Sequence, residues 1–318
     1  MAGVSTAQPP PIDLSGNRRR LMRERVIKYV FLAAGLSSLL ISIAIVASLV
    51  GKSYEFLSNI DLGRLWTDPH RWGPRVANYD LPTLFLGSLY VTGVAMLVAT
   101  PLGLGAAIYL AEYARPRVRR LLKPILEVLA GIPSIVIGFF AVQFLGPEIV
   151  QRVSSEADAF SLAAAGLGVG VLVTPLVASV SEDAMRAVPN SLREASYGMG
   201  ARRLTTVMRV VFPAAISGIV AALLLAASRA IGETMVVALA AGSIGDAKLQ
   251  SDVFGVGTTI TAAMAQLAVG TDKVAAGGGR GAGQAYNSLF FLGLLLFVVT
   301  FALNLIGDVF VRRVQEKY

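Results

Sequence analysis

Few side chains in this sequence can do chemistry, and the pair that stands out is Arg229 and Glu233, two opposite charges inside an apolar stretch from Ala214 to Ala241. Read as one straight helix, the stretch has its midpoint near residue 228, which puts Arg229 close to mid-membrane. An arginine there costs roughly 2.5–3.5 kcal/mol and needs a partner or a wet cavity. A spacing of four residues puts both groups on one helix face, about 6 Å apart. Two readings are open. The pair neutralises itself as an ion pair within the helix, or it meets a passing anion. In the second reading Arg229 offers an oxyanion a planar fork of donors. Glu233 then accepts a hydrogen bond from a protonated oxygen, which hydrogen phosphate has and sulfate lacks. Thr234 comes next on the same path.

Nothing else reads as a catalytic centre. The chain has no cysteine, hence no disulfide and no thiolate site, and its one histidine, His70, cannot form a metal cluster. No Ser/His, Asp/Asp or metal-ligand set falls in the apolar segments, so an intramembrane enzyme is disfavoured. Gly51-Lys52-Ser53 suggests a phosphate-binding loop, but Val46 stands where its first glycine belongs.

The elements that must position Arg229 can be read from composition. Apolar residues make up 55% of the 318 and charged residues 15%, more apolar surface than a soluble core hides. The expectation is an all-α integral membrane bundle of six spans: Tyr29–Val50, Leu84–Tyr113, Pro124–Leu145, Ser161–Val180, Ala214–Ala241 and Leu289–Val311. The first is too long for a signal-peptide core and is expected to be retained. Residues 1–28 form a basic tail, 51–83 a polar, irregular external loop with interface-seeking Trp66 and Trp72, 84–313 the main transmembrane domain, and 314–318 a short tail. Basic residues orient the bundle. Six fall in the N-terminal tail, five in 114–123, five in 181–213 and three at the C-terminus, making 19 on one face against eight on the other. By the positive-inside rule both termini are cytoplasmic. That placement makes membrane lipid, and not nucleic acid, the partner behind the net charge of +8.

Pro133, beside Ser134, and Pro175 fall inside the third and fourth spans. There they either kink a helix and free carbonyls toward a path, or serve packing alone. Gly166 and Gly170 form a small-xxx-small step, which reads as dense packing more readily than as a dimer contact. Glu182, Asp183 and Arg186 read as a solvated helix end, and Glu127 as a cavity group. The glycine-rich segment 274–285 reads as a flexible external connector, or a contact for a docking protein.

One polar stretch organises the rest. Residues 189–213 are too polar to span, yet Leu192, Ala195, Met199 and Val207 recur at near-helical spacing, and Gly198 and Gly200 permit a bend between two short helices. This is a docking knob for a soluble partner, or an amphipathic helix on the headgroups.

Glu194-Ala195-Ser196, then Gly200, Val210 and Phe212-Pro213, resemble the EAA loop of ABC-importer permeases, with Ser196, Val210 and Phe212 departing mildly from its pattern. Arg229 to Met235 resembles the span-five signature of phosphate-specific permeases. Ala107 to Tyr113 and Gly131 to Phe139 are similar to the same family. Met235 and the Leu65-Trp66 stretch favour its PstC type over PstA. The resemblance covers about residues 20–315. It implies a type I importer permease that is not itself an enzyme and binds no cofactor, with ATP and magnesium held by a partner subunit. Glu194, Ala195, Ser196, Gly200 and Pro213 would couple to that ATPase. The implied partners are a second, PstA-like permease, two copies of a cytoplasmic ATP-binding subunit and an extracytoplasmic phosphate-binding protein, at a prokaryotic inner membrane. A permease for molybdate or sulfate, the PstA-like subunit, and a non-transporting scaffold or phosphate sensor remain as alternatives.

Overall fold

The structure is a computed structural model and describes residues 18–67, 70–74, 77–242, 247–269 and 282–314. The first 17 residues of the expected tail, most of the glycine-rich segment and residues 315–318 lie outside these. The chain forms two compact units, residues 1–49 and 50–318.

The first unit carries most of helix α1 (Arg18–Ser58). The helix begins at Arg18, so the basic residues expected in a tail form its first turns. Its apolar side chains, among them Phe31, Leu40 and Ile45, are exposed, as lipid-facing groups must be.

In the second unit α1 runs on to Ser58, past the expected span end at Val50. The expected irregular loop is ordered into α2 (Arg64–Thr67), β1 (Arg71–Gly73) and β2 (Asn78–Tyr79). With β3 (Ala247–Lys248) they form a three-stranded antiparallel sheet in the order β2-β1-β3. Trp72 pairs with Tyr79 on one side and Ala247 on the other. The indole is therefore buried in a cluster with Phe56, Tyr79 and Leu292, and only Trp66 stays exposed as expected. Burial pushes the Tyr79 phenol up to about 12.

Helix α3 (Leu81–Ile108) starts where Asp80 accepts a hydrogen bond from the Thr83 amide at 3.1 Å, and Pro82 in the first turn has no amide to lose. It ends in a π-helical turn, Tyr109–Tyr113. Amphipathic α4 (Pro116–Ala130) comes next, with none of its residues buried. The chain breaks at Gly131-Ile132-Pro133, and α5 (Ser134–Phe140) runs through a π-helical stretch, Ala141–Val150, into α6 (Gln151–Val153). The third apolar span is thus Ser134–Val153 and not Pro124–Leu145. Pro133 caps a helix start instead of kinking a span, and Glu127 lies on α4.

Helix α7 (Leu162–Arg186), capped by Ser161 Oγ on the Ala164 amide, packs along α3. Small residues set the distance. A Cβ on Gly166 would stand 2.6 Å from Val94 Cβ, one on Gly170 would stand 3.1 Å from Val98 Cβ, and one on Gly103 would stand 2.7 Å from Val177. The small-xxx-small step is consumed inside the chain. Pro175 is buried in this packing, which supports its packing reading.

Beyond α7 come α8 (Asn190–Gly198), α9 (Arg203–Thr206), a π-helical turn Val207–Val211, α10 (Phe212–Ala214), α11 (Ile216–Ile231), α12 (Met235–Ala240), α13 (Ile260–Val269) and α14 (Ala282–Val314). The core is Val91, Ala95 and Ala99 of α3 against Val169 and Val173 of α7, with Ala226, Ala230, Val236 and Val237 closing over them. Among the described residues five helices are long and apolar enough to cross a membrane, or six when the pair from Arg203 to Ile231, bent by 70°, counts as one.

Gly166→Leu should force α3 and α7 apart and cost about 1–3 kcal/mol. Gly105→Ala, with nothing within 4 Å of its new methyl, should cost nothing. Thermal unfolding in detergent checks both.

Candidate functional site

Two constellations hold the unusual side chains. The first is a helix break. The expected fifth span does not run unbroken from Ala214 to Ala241. It ends as α11 at Ile231, turns through Gly232-Glu233-Thr234 and resumes as α12. The Glu233 amide bonds the Ala230 carbonyl at 3.2 Å, closing the turn, and Thr261 Oγ1 donates to the Glu233 carbonyl at 2.7 Å, holding it against α13. The carboxylate turns toward the start of α12, where Oε1 accepts from the Val236 amide at 3.5 Å, on the side of that helix favourable to negative charge.

The break separates Arg229 from Glu233. Arg229, in the last turn of α11, is exposed, and among the described residues it makes no ion pair and no side-chain hydrogen bond. The self-neutralising intrahelical pair is therefore absent from this conformation, because Glu233 has left the helix that would align the two. Beside the break lies a cavity of about 220 Å³ lined by Gly232, Thr234, Thr261 and Met264 with apolar residues of α13 and α14. Pro133 and Ser134 start α5, which packs on α12: Gly138 lies so close to Leu239 that a Cβ there would stand 2.8 Å from its side chain.

The second constellation is the hairpin α8–α9 at the other end of α11. Glu194 and Ala195 are exposed on α8, as are Met199 beyond it and Pro213 in α10. Gly200 turns the chain at φ +76, a left-handed value that disfavours any side chain there. Ser196 Oγ and Thr206 Oγ1, 2.8 Å apart, close the hairpin. The expected glycine-bent helix pair is what the chain forms.

Two buried carboxylates support this end, and neither was singled out from the sequence for this role. Glu112, in the π-helical turn after α3, has a side chain only 5% exposed and meets Arg193 of α8 at 2.8 Å. Arg193 also donates to the carbonyls of Val188 and Met185. Arg203 of α9 donates to the Glu112 carbonyl and lies over the Tyr113 ring, 4.9 Å from its centroid. Glu182, expected on a solvated helix end, is fully buried and corrects that reading. It accepts from Arg119 at 2.7 Å and Lys123 at 2.9 Å, both on α4, with Arg186 at 3.8 Å. Burial works to lower the Lys123 pKa, and hydrogen bonds to Asp183 and Glu182 with their charges outweigh it, so the net shift is upward. The signal in the sequence was available: Glu112 is the only charged residue from Leu81 to Tyr113, and an isolated charge closing an apolar span calls for a partner. A cavity of about 340 Å³ lies beside these groups, lined by Glu112, Arg186, Asn190, Arg193, Tyr197 and Arg203.

Residues 99–317 match the family described as the binding-protein-dependent transport system inner membrane component. The chain belongs to that family. It is 34% identical over 252 residues, 78% of this chain and 74% of the relative, to a probable ABC transporter permease, YqgH of Bacillus subtilis (strain 168). It is 29% identical over 319 residues, 94% of this chain and 93% of the relative, to the phosphate transport system permease protein PstC of Mesorhizobium japonicum. Among solved structures, a bacterial alginate ABC transporter in complex with its pentasaccharide-bound periplasmic protein aligns with a TM-score of 0.64 at 15% identity, over 95% of this chain and 99% of that one. The fold is that of type I ABC-importer permeases, and the chain is a multi-span inner-membrane permease.

Removing the charge that holds α4 onto α7 should destabilise this permease: Glu182→Gln leaves Arg119 without its carboxylate and Lys123 with Asp183 alone, and should cost about 3 kcal/mol, the low end for breaking a buried pair because both cations keep some solvent contact. The pH dependence has a definite sign. A lysine whose pKa rises on folding adds stability in full below its ordinary value of 10.5 and loses it as pH climbs through the folded value. The Lys123 contribution should thus be constant across neutral pH and fade only in strong alkali, read by thermal unfolding against pH.

Proposed function

We propose that the chain is the PstC-like permease subunit of an ATP-driven phosphate importer, forming half of the translocation path. The observation that carries this reading is Arg229: an exposed guanidinium with no partner among the described residues, one turn from a helix break that carries Glu233 and Thr234. A mid-span arginine left unpaired has a use if an anion passes it. An oxyanion suits its fork of donors, and the nearby carboxylate favours an anion that still carries a proton. The names of the PstC relatives point to the same substrate.

The same reading assigns the rest of the assembly. The chain crosses the membrane six times, with α11 and α12, joined through the break at Gly232, as the fifth crossing, and both termini are cytoplasmic by the distribution of basic residues. The α8–α9 hairpin is then cytoplasmic and presents Glu194, Ala195 and Met199 to one of two ATP-binding subunits. A second, PstA-like permease faces Arg229 across the path, and an extracytoplasmic binding protein delivers phosphate to the end that carries the sheet. ATP and magnesium belong to the ATPase.

ATP-dependent uptake of labelled phosphate by the reconstituted complex tests the reading. Phosphate uptake should withstand excess sulfate or molybdate, and Arg229→Gln should lower it about tenfold or more, the loss of a charge-assisted contact. Glu233→Gln should let sulfate compete. Uptake abolished by sulfate or molybdate in the wild type would change the substrate and keep the importer. Absence of any ATP-linked flux would favour a scaffold or sensor.

A further inference from the structure

Along the chain, the hairpin reaches the span that bears Arg229 through a bent joint. Between α10 and α11 the path bends by 70° at Ala215, and the turn before it, Val207–Val211, is π-helical. The joint is packed by apolar contacts, with Val211, Ala215 and Ile219 buried beside Ala107, Met185 and Val188, and such contacts are non-directional. A second connection exists, and it is polar and directional.

Both arms of the hairpin grip the same residue from either side of Gly200. From α8, Arg193 holds the Glu112 carboxylate with two nitrogens, Nη2 at 2.8 Å and Nε at 3.2 Å. From α9, Arg203 takes the Glu112 main-chain carbonyl. The remaining donors of Arg193 reach the carbonyls of Val188 at 2.6 Å and Met185 at 2.8 Å, at the end of α7. One guanidinium therefore ties the hairpin to the ends of α3 and α7 together, and these two helices are locked to each other by glycine contacts along their length. With the Arg193 side chain 13% exposed and that of Glu112 5%, the pair is shielded from the screening that weakens surface ion pairs.

We propose that Glu112 and Arg193 form the latch through which movement of the hairpin is passed to α3 and α7 as one body, so that they are positioning residues for coupling and not part of the substrate path. Arg193 suits this role because a planar group with five fixed donors can bridge three elements at once, which a lysine cannot. Without the latch the hairpin still meets its ATPase, since Glu194, Ala195 and Met199 are untouched. Its motion then reaches α3 and α7 only through the apolar packing at the bent joint.

The inference rests on the reading of the chain as an ATP-coupled permease, and the readout is the number of oxyanions moved per ATP hydrolysed by the complete reconstituted complex, taken for whichever oxyanion the wild type carries. Arg193→Gln should lower that ratio about a hundredfold, the low end of the scale for breaking a buried pair, while ATP hydrolysis continues near the wild-type rate. Arg193→Lys should fall between the two. Glu112→Gln keeps a carbonyl that accepts from Arg193 and so preserves the shape of the site. It should lower the ratio less than Arg193→Gln, and it decides the matter if Arg193→Gln fails to assemble. Wild-type ratios in all assembled variants would overturn the latch, as would transport and hydrolysis falling together, the mark of lost ATPase docking. A wild-type complex that moves no oxyanion would instead overturn the importer reading itself.

Discussion

The close approach of α3 and α7 is the constraint on which the second unit depends. In lipid the tails are as apolar as the side chains, so helices gain little by hiding apolar surface from their surroundings and associate through dispersion contacts at short range. Gly103 on one helix and Gly166 and Gly170 on the other allow that range, each lying where an added Cβ would collide with the opposing helix or press hard on it. Because the two helices are held along their length, their ends arrive side by side. Glu112 at the end of one and Glu182 near the end of the other become a fixed platform on which α8 and α4 are set.

Charge is distributed on this frame by a consistent rule. The carboxylates at the platform are buried and paired: Glu182 meets Arg119, Lys123 and Arg186, and Glu112 is held by two nitrogens of Arg193, which is what a buried charge needs to offset its desolvation. The contacts are made by long side chains from neighbouring elements, so they orient α4 and α8 as well as neutralise charge. Arg229 breaks the rule, being exposed and without a partner among the described residues.

The sequence made the class, the hairpin and the unusual charges legible, and it misled on continuity. Apolar runs locate spans because hydropathy is summed over many residues, but the same sum cannot tell an unbroken helix from two pieces joined by a turn. Ala214–Ala241 reads as one helix although Gly232 ends it, and Pro124–Leu145 reads as a span although the break lies at Gly131-Ile132-Pro133. The residues of α4 alternate basic and apolar with helical period, a pattern that belongs to a surface helix. Burial of Trp72 was hidden for another reason: its strand partners include Ala247, far along the chain, and no local pattern reports such a pairing. Glu112 was visible as a lone charge, but Arg193 lies 81 residues away and nothing in the spacing connects them.

Among the described residues three π-helical stretches lie at the transitions between elements. Tyr109–Tyr113 closes α3, Ala141–Val150 carries α5 outward, and Val207–Val211 precedes the bend into α11. A π turn holds more residues per turn than an α turn, so it rotates the next stretch of chain without breaking the run of main-chain hydrogen bonds, and it is uncommon except where function requires it. At Tyr109–Tyr113, the Ala114 amide bonds the Tyr109 carbonyl at 2.7 Å, and this turn carries Glu112, the residue that both arms of the hairpin grip. A regular helix through the same residues would carry that carboxylate on around the helix axis, away from Arg193. The local departure from α geometry is therefore part of how the hairpin is held, and the stiffness of the α3–α7 pair turns that local grip into a connection with the whole bundle.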